Sequence, residues 1–125
     1  MKVTRIYTGD DGLSHFENLV MPMVETDPPT SCAGSLAVTN ATFLEAPAGA
    51  DVGRHNAPRR QLLVNLSGRC ELECPDGRRL FGPGDVRLAD DLTGEGHLTY
   101  VLDDVRVLVL PLPDDLDISG WETAS

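Results

Sequence analysis

The chain has 125 residues, of which 41% are hydrophobic and 24% are charged, and these proportions are typical of one globular domain. Twenty acidic residues against ten lysines and arginines give a net charge of −10, which repels phosphate backbones and excludes nucleic acid as a natural partner. No run approaches the ~18 consecutive apolar residues of a membrane span, and the first residues lack the apolar core of a secretory signal. We therefore expect a cytoplasmic protein that does not bind membranes.

Short apolar runs alternate with turn residues from Leu36 onward and predict an all-β domain. The preceding residues are less patterned, and the stretch 23–34 is predicted to be a loop. No segment has the apolar period of a helix, and the last run, VRVLVLPL, is so uniformly apolar that it predicts a central strand covered on both sides. Strands at this spacing favour a sandwich or barrel. The predicted strands span residues 36–46, 61–68, 69–74, 78–82, 85–89, 97–102 and 105–112.

The run RHNAPRRQLLVNLSG, residues 54–68, combines polar and apolar side chains in what we take as one strand. Strand side chains alternate between two faces, and one face then carries His55, Ala57, Arg59, Gln61, Leu63 and Asn65. This face is too polar for a core and too apolar for a solvated surface, so it predicts the wall of a ligand pocket. Arg59 either clamps a substrate carboxylate at the mouth of this pocket or is simply exposed.

The sequence RCELEC-PDG-RRLF predicts a hairpin with Cys70, Leu72 and Cys74 facing inward. Neither this pair of cysteines nor Cys32 has the CxxC spacing of a zinc site. We therefore expect Cys70 and Cys74 to be small buried hydrophobic residues.

Basic residues crowd the middle of the chain, whereas its C-terminal end is acidic. The arginines of this central region are Arg54, Arg59, Arg60, Arg69, Arg78, Arg79 and Arg87. They form either a solvated surface of mixed charge or a local positive patch that attracts an anionic small molecule.

The stretch around His55 resembles the first motif of the cupin superfamily, G-x5-H-x-H-x3-E-x6-G. Gly49, His55 and Gly68 stand at the first glycine, the first histidine and the last glycine of this motif. Gln61 stands at the glutamate, and Ala57 replaces the second histidine. The resemblance therefore keeps the spacing of the motif but only half of its metal ligands.

The second cupin motif, G-x5-P-x-G-x2-H, is matched more loosely. From Gly84, Asp90 stands at the proline, and two additional residues precede His97. The resemblance covers residues 36–112 and implies a cupin-type double-stranded β-helix, an antiparallel jelly-roll barrel. It also implies a homodimer. We expect one domain, 1–125, in which an N-terminal strand or loop segment, a barrel core and an acidic tail span 1–35, 36–112 and 113–125.

The resemblance implies that His55, Gln61 and His97 surround the barrel interior, with His55 and His97 facing each other across it. As metal ligands, this set would hold one divalent transition metal ion, although a glutamine is a weak neutral ligand. Without a cofactor, the two histidines form a proton-transferring pair, and Gln61 donates to a substrate carbonyl. Asp90 and Asp91, near the second motif, either contribute to such a metal site or form a turn.

Further residues are expected to bind the substrate around this pair. Ala57 leaves room beside His55, and strand parity adds Leu63 and Thr99 while it turns Tyr100 away. Two residues outside the motifs are expected at the periphery. His15 either caps the pocket or lies on the surface, and Trp121 anchors the tail either to the body or to a second subunit.

Three functions remain open at this point, all of them on a small organic molecule. The first is an enzyme that performs isomerisation, cyclisation or dehydration by acid–base chemistry, as metal-independent cupins such as sugar-nucleotide epimerases do. The second is a mononuclear metal-dependent cupin, for example a dioxygenase. The third is a non-catalytic ligand-binding module.

Overall fold

A computed structural model describes residues 1–124, so the last residue of the predicted tail, Ser125, lies outside the described part. The regular structure is entirely β, which confirms the predicted class, and no helix long and apolar enough to cross a membrane occurs in these residues. The strands are β1 (Lys2–Thr8), β2 (Ser14–Val20), β3 (Met23–Glu25), β4 (Ser31–Ala33), β5 (Thr42–Ala46), β6 (Asp51–His55), β7 (Gln61–Ser67), β8 (Cys70–Cys74), β9 (Gly77–Phe81), β10 (Val86–Asp90), β11 (His97–Val101), β12 (Val105–Pro111) and β13 (Glu122–Thr123).

Two sheets form the body of the protein. The larger has the strand order β13-β2-β1-β10-β7-β12-β5 and the smaller the order β6-β11-β8-β9, while β3 and β4 pair separately. From β5 to β12 the chain passes back and forth between the two sheets, interrupted by the β8–β9 hairpin, in the order of a jelly roll. The fold is therefore the cupin-type barrel that the resemblance implies. Its pairs are antiparallel, but β1 joins β10 in parallel.

The main core lies between the two sheets. Cys70, Leu72 and Cys74 of β8 all point inward and are buried, as the hairpin pattern predicts. From the large sheet, Ile6 of β1 packs against them and is fully buried. Burial, reinforced by the negative charge of Asp91, raises the pKa of the Cys74 thiol to about 12. This thiol therefore stays protonated and behaves as a small apolar side chain.

A second apolar cluster covers the outer face of the large sheet. Leu62 of β7 and Leu88 of β10 form its base, and Leu110 of β12, Ile118 and Trp121 pack against it. Because both faces of the large sheet are covered, the uniformly apolar β12 lies between two apolar layers, as predicted. Trp121 therefore anchors the tail to the body of the same chain.

The N-terminal residues form more structure than their sequence predicts. β1 and β2 extend the large sheet, and the stretch 23–34, predicted to be a loop, contains the hairpin of β3 and β4. These two short strands are almost entirely exposed, so no alternation of apolar residues marks them. In the run 36–46, only Thr42–Ala46 is a strand.

β5 forms one edge of the large sheet and carries exposed apolar side chains. Phe43 is 70% exposed, and Leu44 beside it is also exposed. The homodimer that the resemblance implies stays a prediction.

Replacement of Ile6 by alanine tests whether β1 belongs to the core. The substitution leaves a cavity between the sheets, and such large-to-small core changes cost about 2–5 kcal/mol. We expect urea denaturation to show a free energy of unfolding lowered by this amount. Lys2→Ala, on the exposed start of the same strand, should stay within about 0.5 kcal/mol of wild type. Equally small effects of both substitutions would contradict the placement of β1.

Candidate functional site

A recess opens inside the barrel, between the two sheets. It consists of a cavity of about 380 Å³ and an inner pocket of about 60 Å³. The side chains that line both parts, and so make them one recess, are His55, Gln61, Leu63, Arg87 and Thr99. The remaining walls of the larger cavity are mainly aliphatic, with Val101, Val105, Val107 and Val109 among them. The recess therefore combines an apolar lining with a few polar groups, which is typical of small-molecule sites.

His55 and His97 lie side by side on one wall of this recess. β6 and β11 pair antiparallel with His55 directly opposite His97, and the ring centroids are 4.6 Å apart. The expectation that they face each other across the barrel is wrong, because β6 and β11 are neighbours in the small sheet. Both imidazoles thus line the inner pocket of the recess.

The run 54–68 is not one strand, in contrast to the prediction. It contains the end of β6, a connection over residues 56–60, and β7 in the opposite sheet. His55 and Gln61 therefore reach the recess from opposite sheets. Pro58 is the local signal for this break, because proline cannot donate to a strand ladder.

A buried carboxylate holds His97 from behind. Nδ1 of His97 donates to Oδ2 of Asp91 over 2.5 Å, and Oγ of Ser14 donates to the same oxygen over 2.7 Å. Asp91 and Ser14 are both fully buried. Since an ionised carboxylate only accepts hydrogen bonds, the proton of a neutral His97 is on Nδ1. Nε2 is then the nitrogen left for a ligand.

His55 has the same tautomer for a different reason. Its Nδ1 lies 3.2 Å from the carbonyl oxygen of Gly53, which can only accept, so Nδ1 donates. Within residues 1–124, Nε2 has no hydrogen-bond partner in either histidine. The site thus offers two adjacent imidazoles, each with one free acceptor nitrogen.

Gly96 allows the two histidine strands to meet. Its φ is +77°, which L-residues rarely adopt, and a Cβ here would lie 2.3 Å from the carbonyl oxygen of His55. Glycine directly before His97 is therefore required for the close approach of the two backbones.

Asp90 and Asp91 have opposite environments, although the sequence predicts the same alternatives for both, a metal site or a turn. Asp90 ends β10 and forms ion pairs with Arg5 at 2.8 Å and with Arg60 at 3.2 Å. Asp91 points the other way, toward His97. Because Asp90 is neutralised by arginines, it is not free to act as a ligand.

Arg87 of β10 is a further polar group of the recess. Its Nη1 donates to Oδ1 of Asn65 over 2.8 Å and lies 3.8 Å from Sγ of Cys70. The guanidinium carbon lies 5.3 Å from the ring centroid of Phe81. Burial lowers the pKa of this guanidinium from its ordinary value.

Sequence reasoning gave Asp91, Ser14 and Arg87 no place beside the histidine pair, although it included Arg87 in the central group of arginines that either is solvated or attracts an anion. None of them stands at a fixed position of a cupin motif, and Ser14 is 77 residues from its partner. For Arg87, the alternation in DVRLA is a usable signal, because it places this arginine on the opposite face of the strand from Val86 and Leu88.

The donor set does not fit a resident metal ion. In the resemblance to metal-binding cupins, Ala57 and Gln61 stand at two of the four ligand positions, and the neutral amide of Gln61 does not offset the charge of a dication. His55 and His97 supply one nitrogen each. Among residues 1–124, no group of three or more His, Cys, Asp or Glu side chains is arranged to hold a metal ion.

Most of the other predicted substrate-binding residues border the recess. Thr99 and Leu63 line both of its parts, Ala57 lines the inner pocket, and the exposed Arg59 lines the larger cavity. Tyr100 points away, as parity predicts, and its hydroxyl donates to a glutamate carboxylate outside the barrel.

His15 does not reach the recess, which corrects the expectation that it caps the pocket. Nδ1 lies 2.8 Å from Oδ1 of Asp76, and Nε2 lies 2.9 Å from Oδ2 of Asp11. β2 turns Ser14 inward, and His15, the next residue, therefore faces outward. His15 joins two surface turns.

The substitution Gly96→Ala tests the close approach at the histidine pair. A positive φ costs alanine about 1–3 kcal/mol at Gly96 and equally at the control position Gly84. The φ of Gly84 is +86°, but nothing lies within 4 Å of a Cβ there. We expect Gly96→Ala to lower the free energy of unfolding more than Gly84→Ala does and to shift the NMR signals of the histidine rings. Equal costs and unshifted rings would contradict the collision with His55.

The His15 cluster makes stability depend on pH. Hydrogen bonds to Asp11 and then to Asp76 raise the pKa of His15 above its ordinary value of 6.5. The folded protein therefore binds this proton more tightly than the unfolded chain does. The resulting stabilisation is complete below the unfolded pKa and is lost as the pH rises through the raised pKa. We expect the melting temperature of wild type to exceed that of His15→Gln in mildly acidic buffer, and the difference to shrink in alkaline buffer. A difference independent of pH would contradict this.

Comparison with known proteins supports the fold alone. No family model and no curated protein matches the chain. The chain is similar to the crystal structure of the conserved SPY1581 protein of unknown function from Streptococcus pyogenes, with 18% identity and a TM-score of 0.50. This alignment covers 61% of the present chain and only 65% of the Streptococcus pyogenes chain. The structure of KdgF from Halomonas sp. aligns over 87% of this chain and 97% of that one, with 20% identity and a TM-score of 0.43.

Proposed function

We propose that this protein is a small-molecule enzyme that transfers protons inside the barrel, in a reaction of the isomerisation, cyclisation or dehydration type, as a metal-independent member of the cupin superfamily. The observation that carries the proposal is the buried chain from Ser14 through Asp91 to His97, which ends at the recess beside His55.

The burial of Asp91 indicates that the hydrogen-bonded series Ser14–Asp91–His97 has a functional role and not only a structural one. Asp91 is fully buried, and its Oδ1 has no hydrogen-bond partner among the described residues. A buried carboxylate with an unpaired oxygen is costly to stability, and such groups are concentrated at functional sites. Packing alone would favour an apolar side chain at this position.

In the proposed reaction, His97 is the base. The hydrogen bond to Asp91 fixes the tautomer and the ring orientation, so that Nε2 accepts a proton from a C–H or O–H group of the substrate. The carboxylate of Asp91 balances the positive charge of the resulting imidazolium. His97 then returns the proton to a neighbouring atom of the substrate in an isomerisation, or delivers it to the leaving hydroxyl in a dehydration, so that the hydroxyl departs as water.

Gln61 and the aliphatic walls support this chemistry. Gln61 is buried in the opposite sheet, and its side-chain NH₂ donates to a substrate carbonyl oxygen on which negative charge develops. The apolar lining excludes water and so strengthens each polar contact to the substrate.

Hydrogen–deuterium exchange at carbon tests the proposal even when the product is unidentified. Wild-type protein is incubated in D₂O with a panel of small hydroxy acids, oxo acids and sugars, and the loss of C–H signals is followed by ¹H NMR. We expect exchange on at least one compound, and a rate about 10²- to 10⁴-fold lower in His97→Asn and Asp91→Asn. The first variant loses the base, and the second loses its orientation. Tyr100→Phe, outside the barrel, should keep the wild-type rate.

Two results would contradict proton transfer by His97. One is unchanged exchange in a folded His97→Asn variant. The other is binding of panel compounds with no exchange in wild type, which would favour a non-catalytic ligand-binding module.

A further inference from the structure

The recess is positively charged inside a strongly acidic protein. The chain has 20 acidic residues and ten lysines and arginines. Yet none of the described residues that line the recess is an aspartate or glutamate, whereas Arg59 and Arg87 both line it. Asp91 lies behind His97 and is bonded to it. The charge of the recess is therefore opposite in sign to that of the whole protein.

Arg87 contributes a buried charge that has no counter-ion in the described structure. It is 8% exposed, and no carboxylate among residues 1–124 forms an ion pair with it. Its contacts are the amide of Asn65, the ring of Phe81 and, at 3.8 Å, the Sγ of Cys70, and none of these is a carboxylate. Arg60 is equally buried, at 8% exposed, but it pairs with Asp90 at 3.2 Å. A buried cation without an anion is costly, which points to a missing anionic partner.

The guanidinium of Arg87 also has hydrogen-bond donors to spare. Only Nη1 donates within the described residues. Nε and Nη2 have no partner there, and neither of them is completely buried. Asn65 is fully buried, and its Nδ2 donates to the carbonyl oxygens of Gly68 and Phe81 over 3.2 and 3.4 Å. Its Oδ1 therefore holds Arg87 in one orientation and leaves an accessible edge of the guanidinium free. Such an edge fits the two oxygens of a carboxylate.

We propose that Arg87 binds the carboxylate of the substrate, and that the substrate is a small monocarboxylic acid with an apolar remainder. The aliphatic walls of the larger cavity accept the remainder. Arg87 and His55 both line the two parts of the recess, so an acid held by Arg87 presents its neighbouring carbon atoms to the histidine pair. The inference rests on the proposed function in taking this recess as the substrate site.

Binding of benzoate and of its uncharged analogue benzamide to the full chain tests the inference. Both probes are titrated while the arginine Nε–H signals are followed by ¹H–¹⁵N NMR. We expect benzoate to bind, to shift the Arg87 signal, and to bind at least about tenfold more tightly than benzamide.

Three substitutions identify the residue responsible. Arg87→Gln should abolish the preference for benzoate, and Arg87→Lys should keep part of it because the charge remains. Arg106→Gln removes an exposed arginine of β12 and should keep the whole preference. If Arg87→Gln fails to fold, the shift of the Arg87 signal in wild type and the comparison of the two probes still test whether Arg87 binds the carboxylate.

The inference is overturned if benzoate does not bind, if benzamide binds equally well, or if benzoate binds without a shift at Arg87. Failure of the proposed function is a different result. His97→Asn should lose proton exchange and keep the preference for benzoate, since Arg87 is intact. A wild-type protein that prefers benzoate but exchanges no carbon-bound proton would overturn proton transfer and retain the carboxylate site.

Discussion

The pairing of β6 with β11 is the constraint on which the site depends. The register that sets His55 opposite His97 brings the ring centroids of the two imidazoles to 4.6 Å, although the residues are far apart in the sequence. Gly96 makes this register possible, because any Cβ at that position would collide with the backbone of His55. The short connection between β10 and β11 begins with Asp91 and ends just before His97. One segment therefore supplies both the imidazole and the carboxylate that orients it.

β10 and the residue after it carry the two buried charges of the site. Arg87 lies within the strand, and Asp91 follows its end. Each is held by a polar side chain from another strand of the large sheet, Asn65 on β7 and Ser14 on β2. Both charges are expensive to bury. The N-terminal strands are therefore part of the site, because without β2 the carboxylate would lose one of its two hydrogen bonds.

The sequence predicts most of this fold but only part of the site. The strands from β7 to β12 are short runs that either alternate or are apolar throughout and that end at glycine, proline or aspartate turns, so local pattern is sufficient to find them. β6 was hidden because His55 and Gln61 keep the motif spacing of one strand while the chain crosses between sheets. His55 was found through that spacing, and His97 was found through the looser second motif. The contacts of Asp91 and Arg87 at the site were not predicted, because their partners, Ser14 and Asn65, lie 77 and 22 residues away and become neighbours only in the folded chain.

The contrast between an acidic exterior and a basic interior limits how the recess selects a ligand. A net charge of −10 repels small anions at long range, and this repulsion is screened beyond about 10 Å at 0.1 M salt. Inside the recess, the field of Arg87 is screened far less, because the walls are aliphatic and the guanidinium is buried. Attraction of an anion is therefore local and requires entry into the recess. An acid whose apolar remainder packs against the valine side chains gains both interactions at once, whereas a small inorganic anion gains only the charge contact.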